Sequence, residues 1–272
     1  MSRIRERVSM GARLLLLLAA ALCASALPPA LAADRRDPKA VEVADAVARA
    51  IAPDGAWQKI AGLRFTFTVV RDGKPDRAFD HLWDTRAGRD RVEGEGPDKK
   101  KCVVIFDVAT KTGEGWVLES AAGAARWVKQ EGEAAGKLLE FGYGRFINDT
   151  YWLLMPLKLK DPGVNLDYEG RKDLAGAPHD VLKVTFNGVG LTPGDTYWVW
   201  VDPQTHLVDH WEFVLEGQTE KDRGAFDWKD WTTFGPLRLS TSKPMAGGKL
   251  AIVFQGVAAL DAVPPGAFDP PK

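Results

Sequence analysis

The stretch Leu63-Arg64-Phe65-Thr66-Phe67-Thr68-Val69 alternates apolar and polar side chains without interruption. A period of two is typical of a β-strand that has one face on the core and the other in solvent. Further short strand-like runs follow, separated by turn sequences such as Arg71-Asp72-Gly73-Lys74. The sequence therefore predicts an antiparallel sheet with additional strands at 78–84, 89–93, 102–107, 115–118, 181–186, 196–202, 207–215, 236–241 and 250–255.

Two helical regions are predicted beside this sheet. Asp37-Pro38 is a helix start signal, and a stripe of apolar residues runs from it to Ile51. The apolar period changes to a helical one between residues 133 and 160. There we expect Gly142 and Gly144 to separate two helices, of which the second is capped by Asn148 or Asp149.

The run Thr196-Tyr197-Trp198-Val199-Trp200-Val201 is apolar on both faces. An antiparallel strand with one solvated face would carry polar residues on that face, so another element must cover the second face. The predicted helices are the candidates for that cover. The expected fold is mainly β with helices (α+β): one curved antiparallel sheet that forms an incomplete β-barrel, with helices across its concave face.

Large aromatic side chains would line the space between helices and sheet. If that space is incompletely filled, it forms an apolar ligand pocket; if it is filled, it is a tryptophan-rich core. The candidate pocket residues share an apolar side chain and a place on a predicted inner strand or helix: Phe65, Phe67, Trp83, Tyr151, Trp152, Met155, Trp198, Trp200, Trp211 and Phe213.

Composition excludes several classes of protein. The chain has 272 residues, of which 45% are hydrophobic and 27% charged, and a formal charge of -1. These values are those of a globular protein, and no basic run is dense enough for a nucleic-acid partner. We expect a monomer with a single domain, residues 33–272.

The first 32 residues have the pattern of a secretory signal peptide. Arginines precede an apolar segment at 14–27, and Ala30-Leu31-Ala32 is a small-x-small cleavage site. Cys23 follows Leu22 instead of a small residue, which argues against a lipid anchor. We predict cleavage after Ala32 and a periplasmic protein whose remaining thiol, Cys102, is buried and inert.

No catalytic residue, metal site or cofactor is predicted. The nucleophile-elbow pattern Gly-x-Ser-x-Gly is absent from the sequence. His206 and His210 are four residues apart but fall in a predicted turn and strand, where we expect exposed or hydrogen-bonded side chains. The sequence indicates a non-enzymatic protein.

Four segments resemble the LolA/LolB-like superfamily of periplasmic lipoprotein carrier and sorting proteins. Phe79-Asp80-His81-Leu82-Trp83-Asp84-Thr85-Arg86 is similar to the carriers' Gly-x-Leu-Trp-x-x-Arg-Pro strand, although Ala87 replaces the final proline. The hairpin 104–118, the helical segment 148–159 and the end Phe268-Asp269-Pro270-Pro271-Lys272 are similar to their hairpin, lid helices and Phe-x-Pro-Pro end.

The resemblance implies a pocket for acyl chains, with Arg86 as a latch that hydrogen-bonds a lid formed by residues 133–157. The alternative for Arg86, from the residues alone, is an exposed arginine at the end of a strand. The implied function is binding of a lipid, an acyl chain or a lipidated protein, in lipoprotein sorting or transport with a transient membrane-associated partner. The alternative is a glycan- or protein-binding module with exposed tryptophans. Exposure of Trp200 and Trp211 distinguishes the two: buried rings favour lipid, and a row of exposed rings favours glycan.

Overall fold

This computed structural model describes residues 34–121 and 124–272. They contain fourteen strands and three α-helices. The proposed signal peptide and its cleavage site lie outside these residues. No helix among the described residues is long and apolar enough to cross a bilayer. The helices are α1 (Pro38–Ile51), α2 (Ala56–Lys59) and α3 (Gly132–Leu154). The strands are β1 (Gly62–Arg71), β2 (Lys74–Asp84), β3 (Arg89–Glu95), β4 (Lys101–Asp107), β5 (Gly113–Ala121), β6 (Ala124–Lys129), β7 (Val164–Leu174), β8 (Ala177–Phe186), β9 (Thr196–Val201), β10 (Val208–Val214), β11 (Gly224–Asp227), β12 (Lys229–Phe234), β13 (Leu237–Pro244) and β14 (Leu250–Leu260).

The strands form two antiparallel hydrogen-bonded sheets. The order in the nine-stranded sheet is β12-β13-β14-β1-β2-β3-β4-β5-β6, and in the five-stranded sheet it is β11-β10-β9-β8-β7. An isolated bridge between Phe226 and Met245 joins β11 to the end of β13. The predicted α+β class and open antiparallel barrel are confirmed, with the strands divided between two sheets at this bridge.

The strand β1 occupies the centre of the larger sheet. It pairs with β2 on one side and with β14 on the other, so that Phe67 lies opposite both Phe79 and Phe254. Leu63, Phe65 and Phe67 are buried, whereas Arg64 is exposed. One face of β1 thus packs in the core, as the alternation in the sequence predicts.

The first helix begins where the sequence indicates. The Asp37 carboxylate accepts hydrogen bonds from the backbone N–H groups of Lys39 and Ala40, which have no partner inside the helix. The apolar stripe of α1, which includes Val43 and Val47, is buried. The predicted cap and amphipathic helix are confirmed.

The central helix α3 is continuous, and the prediction that Gly142 and Gly144 divide it is wrong. Gly142 lies where α3 crosses β4, and a Cβ at this position would come within 2.8 Å of the Val104 side chain. This glycine therefore allows close packing instead of ending a helix. Asp149 lies inside α3, fully buried, so the expectation that Asn148 or Asp149 caps a second helix is also wrong.

Candidate functional site

Aromatic side chains fill the space between α3 and both sheets. We call the sheet faces that contact α3 the inner faces. Phe146 of α3 packs edge-on against Trp83 of β2, with ring centroids 5.1 Å apart. Near the end of α3, Trp152 packs edge-on against Trp211 of β10 at 4.6 Å and against Phe226 of β11 at 4.9 Å. One helix thus covers apolar surface of both sheets.

Most of the candidate pocket residues lie in this aromatic layer. Their rings contact one another: Phe65 lies 5.7 Å from Phe254, and Tyr151 lies 6.4 Å from Trp211. In this state the layer is packed, as in the tryptophan-rich core that the sequence left open as the alternative. Buried members are Phe65, Phe67, Trp152, Trp211 and Phe213, with Met155 buried directly after α3; Trp83 and Tyr151 are half-buried.

Trp198 and Trp200 lie on the outer face of the smaller sheet, so the expectation that helices cover this face is wrong. Charged side chains cover it instead. The guanidinium carbon of Arg223 lies 3.7 Å from the centroid of the Trp198 ring, and Glu169 accepts a hydrogen bond from the Trp198 indole N–H at 3.2 Å. Cation–π contact and the aliphatic part of a long charged side chain together bury an aromatic ring without another helix.

None of the ten tryptophans is exposed, and all ten lie within the described ranges. Trp211 is 3% exposed, and Trp200 is half-buried beneath its neighbours. Glycan-stacking platforms need accessible ring faces in a row. By the criterion stated above, burial favours lipid over glycan.

Arg86 does not contact α3. It lies after β2 and donates a hydrogen bond through Nη2 to the backbone carbonyl of Lys59 in α2, at 3.1 Å. Arg86 is exposed, and its guanidinium binds a carbonyl of α2 because the end of β2 lies beside that helix. The expected latch between Arg86 and segment 133–157 is therefore wrong.

A buried ionic network attaches α3 to the larger sheet. His81 of β2 lies between two carboxylates: Nδ1 is 3.2 Å from Asp90 of β3, and Nε2 is 2.9 Å from Asp149 of α3. Arg145, one helical turn before Asp149, donates two hydrogen bonds to the same carboxylate. Asn148 donates a third at 2.8 Å. Three elements are thus joined by charges that have no exposed surface at His81, Asp90 and Asp149.

The network keeps His81 protonated at neutral pH. Burial alone would lower the pKa of His81, but the adjacent Asp90 and Asp149 outweigh it and raise this pKa to about 9. Burial raises the pKa of Asp90, against the opposing effect of the His81 charge. Two cations then face two carboxylates, which is the balance that buried charges require.

Sequence reasoning did not find this network. Its members lie in three elements, and the distance along the chain from His81 to Asp149 carries no periodic signal. The available signal was local: Arg145 and Asp149 are four residues apart within an apolar helix, the spacing of an ion pair on one helix face. Charged residues in an otherwise buried segment require partners.

The Cys102 thiol, His206 and His210 lie outside this network. Cys102 is buried as predicted, and burial, together with the nearby Glu93, raises its pKa to about 11. His210 lies 2.8 Å from Asp227, and His206 is exposed in the turn after β9. Among the described residues, no group of three or more His, Cys, Asp and Glu side chains is arranged to hold a metal ion.

The carboxyl-terminal motif packs on the outer face of the larger sheet. Arg91 donates a hydrogen bond to the Asp269 carbonyl at 2.7 Å, and the Arg89 guanidinium lies 4.5 Å from the centroid of the Phe268 ring. Phe268 also packs against the buried Ile105 and Trp116. Beside it is a cleft of about 220 Å³ with a charged rim, lined by Arg89, Ile105, Phe106, Asp107, Thr112, Gly113, Glu114, Trp116 and Phe268.

Comparisons with known proteins give one partial family match and several similar solved structures. A family model described as a family of unknown function, DUF6503, matches residues 138–234. No curated protein matches the chain. A LolA superfamily protein from Nitrosomonas europaea is a similar solved structure, with 10% identity, coverage of 85% of this chain and 97% of that chain, and a TM-score of 0.47.

Two further solved structures are similar to this chain at the same level. A DUF1329 family protein from Desulfovibrio piger has 12% identity, coverage of 85% of this chain and 97% of that chain, and a TM-score of 0.46. A domain described as an outer membrane lipoprotein-sorting protein, from Vibrio parahaemolyticus, has 10% identity, coverage of 85% and 96%, and a TM-score of 0.46. The likeness concerns the fold, and the binding properties of this chain have to be argued from its own residues.

Proposed function

We propose that this protein is an exported, monomeric, non-enzymatic carrier that binds an acyl chain between α3 and the inner faces of the sheets. The ligand is a lipid or a lipidated protein, which it would exchange with a transient membrane-associated partner in the periplasm. The observation that carries the proposal is the aromatic layer covered by a single helix. The Trp152 ring of α3 packs against the rings of Trp211 and Phe226 in the smaller sheet. An acyl chain would enter by separating these rings.

Energetics favour an acyl chain as the occupant. Each methylene transferred from water to an apolar interior gains about 0.8 kcal/mol, so a long chain compensates for the separation of packed aromatic rings. No catalytic group is needed for such a role. Specificity for chain length would depend on how far α3 separates from the sheet.

Binding requires α3 to act as a lid, because the layer beneath it is packed. Its amino-terminal half has fewer buried contacts: Glu133 and Gly136 are exposed, and a Cβ at Gly136 would meet no atom within 4 Å. Its other half carries the polar attachment, through Asp149, to His81. We infer that opening starts at the amino-terminal half and that the network limits how far it proceeds.

A reversible cross-link tests this lid. A Cβ built at Gly115 of β5 lies 3.5 Å from the Leu138 Cβ of α3, which is within the range of a disulfide. The double variant Gly115→Cys/Leu138→Cys, in a Cys102→Ala background, should form a disulfide when oxidised. Native mass spectrometry with a bacterial lipid extract should show lipid bound to the reduced form and a loss of at least ten-fold in the oxidised form.

The matched controls are the two single cysteine variants in the same background, which should bind lipid under both redox conditions. Equal lipid binding by the oxidised and reduced double variant would exclude α3 as the lid. A clean apo spectrum for the wild-type protein, with no change of tryptophan fluorescence on adding the extract, would contradict the carrier function itself.

A further inference from the structure

Lys243 of β13 is a fully buried lysine. Its Nζ donates a hydrogen bond to the Ser240 carbonyl at 2.5 Å and lies 4.5 Å from the ring centroids of both Trp228 and Phe254. The aliphatic part of a lysine is often buried, but the ammonium group normally reaches solvent. Here the charged end itself is enclosed by aromatic rings.

No carboxylate among the described residues pairs with this ammonium group. Burial is the cause that lowers the pKa of Lys243 well below its ordinary value, without an opposing acidic neighbour. The contrast with His81 is direct, because that buried cation has two carboxylates within 3.2 Å. A buried amine without a counter-ion costs free energy, and a negatively charged partner would remove that cost.

Two buried indole N–H groups in the aromatic cluster that adjoins Lys243 also have no acceptor in the described part of the chain. The indole N–H groups of Trp228 and Trp211 are buried and make no hydrogen bond within the described residues. The ring centroids of these two tryptophans are 6.4 Å apart. Buried donors normally have partners, so two unpaired indole N–H groups in the cluster that adjoins a buried amine are consistent with a place for an acceptor-rich ligand.

This cluster adjoins the space that the proposed function assigns to the acyl chain. Phe254, which contacts Lys243, also contacts Phe67 on the inner face of β1 at 5.6 Å. Trp211 contacts Trp152 of α3. The donors therefore lie beneath the lid, where the two sheets meet.

We propose that Lys243, with the indole N–H groups of Trp211 and Trp228, binds the anionic head group of the carried ligand. The ligand class is then a single-chain amphiphile with one negative charge, whose oxyanion is a carboxylate or a phosphodiester. This proposal rests on the carrier function, since it places the head group inside the same apolar space. One oxyanion supplies both the missing counter-charge and several acceptors, and the surrounding rings pack against the first methylenes.

The test compares three probes that share a sixteen-carbon chain: palmitate, 1-palmitoyl-lysophosphatidylglycerol and uncharged 1-hexadecanol. Affinity is measured by tryptophan fluorescence titration and by native mass spectrometry on the wild-type protein, on Lys243→Met and on Lys249→Met. Methionine retains the length of the lysine without its charge. Lys249 is the matched control, since its side chain is 84% exposed and pairs with Asp72 on the surface.

The wild-type protein and Lys249→Met should bind at least one of the two anions ten-fold or more tightly than 1-hexadecanol. Lys243→Met should lose this preference and retain 1-hexadecanol binding, which shows that the variant is folded. The preferred anion identifies the head group as carboxylate or phosphodiester.

Equal binding of all three probes by the wild-type protein, or an unchanged preference in Lys243→Met, would overturn the head-group proposal while leaving the carrier function in place. Absence of binding for all three probes would contradict the carrier function. A second readout is the carboxyl carbon resonance of [1-13C]palmitate, which should titrate at lower pH in the wild-type complex than in the Lys243→Met complex because the ammonium stabilises the carboxylate.

Discussion

Single residues decide how this protein tolerates charge in its interior. His81 has its counter-charges in the fold, whereas Lys243 has none among the described residues. The first arrangement stabilises the folded state, and the second costs free energy unless a ligand completes it. The two buried cations therefore predict opposite effects of pH on stability.

The pKa of His81 predicts a loss of stability at alkaline pH. Because this pKa rises from 6.5 to about 9 on folding, the stabilisation is complete below pH 6.5 and disappears as pH rises through 9. Its size is on the order of 3 kcal/mol, from 1.36 kcal/mol per pKa unit. The difference in unfolding free energy between wild type and His81→Gln, measured by urea unfolding from pH 6 to 10, should therefore shrink with rising pH.

Titrating groups outside the network, such as His210, are present in both proteins and cancel in this difference. His206→Asn is the matched control, because His206 is exposed at a positive φ that asparagine adopts readily. A wild-type minus His81→Gln difference that is constant over this range would contradict a protonated His81 in the network.

The buried amine of Lys243 predicts a stabilising substitution. The pKa of Lys243 is lower in the folded protein than in the unfolded chain, so protonation of the unfolded chain disfavours folding at pH values below 10.5. The lost stability is regained as pH rises toward 10.5. Lys243→Met should raise the unfolding free energy of the ligand-free protein at pH 7 by about 1–3 kcal/mol, with a larger gain at lower pH. Differential scanning calorimetry measures this, and a lower melting temperature would show that the amine has a partner.

At the scale of elements, the glycines of α3 have different roles. Ala at Gly142 would press against Val104 of β4, with a Cβ contact of 2.8 Å, whereas a Cβ at Gly144 would meet no atom within 4 Å. Gly142→Ala should lower the unfolding free energy by about 1–3 kcal/mol through overpacking. Gly144→Ala should raise it by about 1 kcal/mol through helix propensity.

Urea unfolding of the two single variants separates these effects, since both make the same chemical change in one helix. Equal stabilisation by both substitutions would mean that α3 does not pack closely on β4. The sequence alone could not assign these roles, because the partner that makes Gly142 necessary belongs to a strand far away in the chain.

Whether a strand was predicted from the sequence depends on its position in its sheet. Strands with a neighbour on each side, such as β1, β4 and β9, carry strong apolar patterns and were predicted. The four strands missed, β6, β7, β11 and β12, are the four edge strands of the two sheets. Edge strands bury less surface and are often short or charged, so their sequences lack the period that identifies a strand.

The sequence indicated that the candidate site is aromatic, but it did not indicate the polar residues of the site. The aromatic residues of the inner faces stand at apolar positions of predicted elements, and most of the residues named from the sequence lie on these faces. Trp198 and Trp200 were assigned to a covered pocket because an apolar strand face looks the same whether a helix or Arg223 lies over it. The sequence did not indicate the roles of His81, Asp90 and Lys243, because these roles depend on contacts between residues that are distant in the chain.

At the scale of the whole molecule, the lid should exchange its amide protons faster than the sheet. Opening of α3 exposes its backbone without unfolding β1, so the amides of residues 138–154 should be less protected than those of Phe65 and Phe67 in the ligand-free protein. Palmitate should slow exchange in α3 selectively. Hydrogen exchange with mass spectrometry measures both, and equal protection of α3 and β1 without ligand would contradict the lid.

Export predicts a defined amino terminus. Cell fractionation followed by amino-terminal sequencing of the mature protein should find it in the periplasm, with Ala33 as its first residue. Cytosolic protein that retains Met1 would contradict this.

The pairing of β1 with β14 has a consequence for biogenesis. The core strand that holds Phe67 obtains its second neighbour only when Phe254 has been synthesised, so the larger sheet cannot close before β14 has been made. Contacts this distant along the chain form slowly, since a long loop must be closed first. A nascent polypeptide with this topology stays unfolded late, which is the form that a secretion channel accepts.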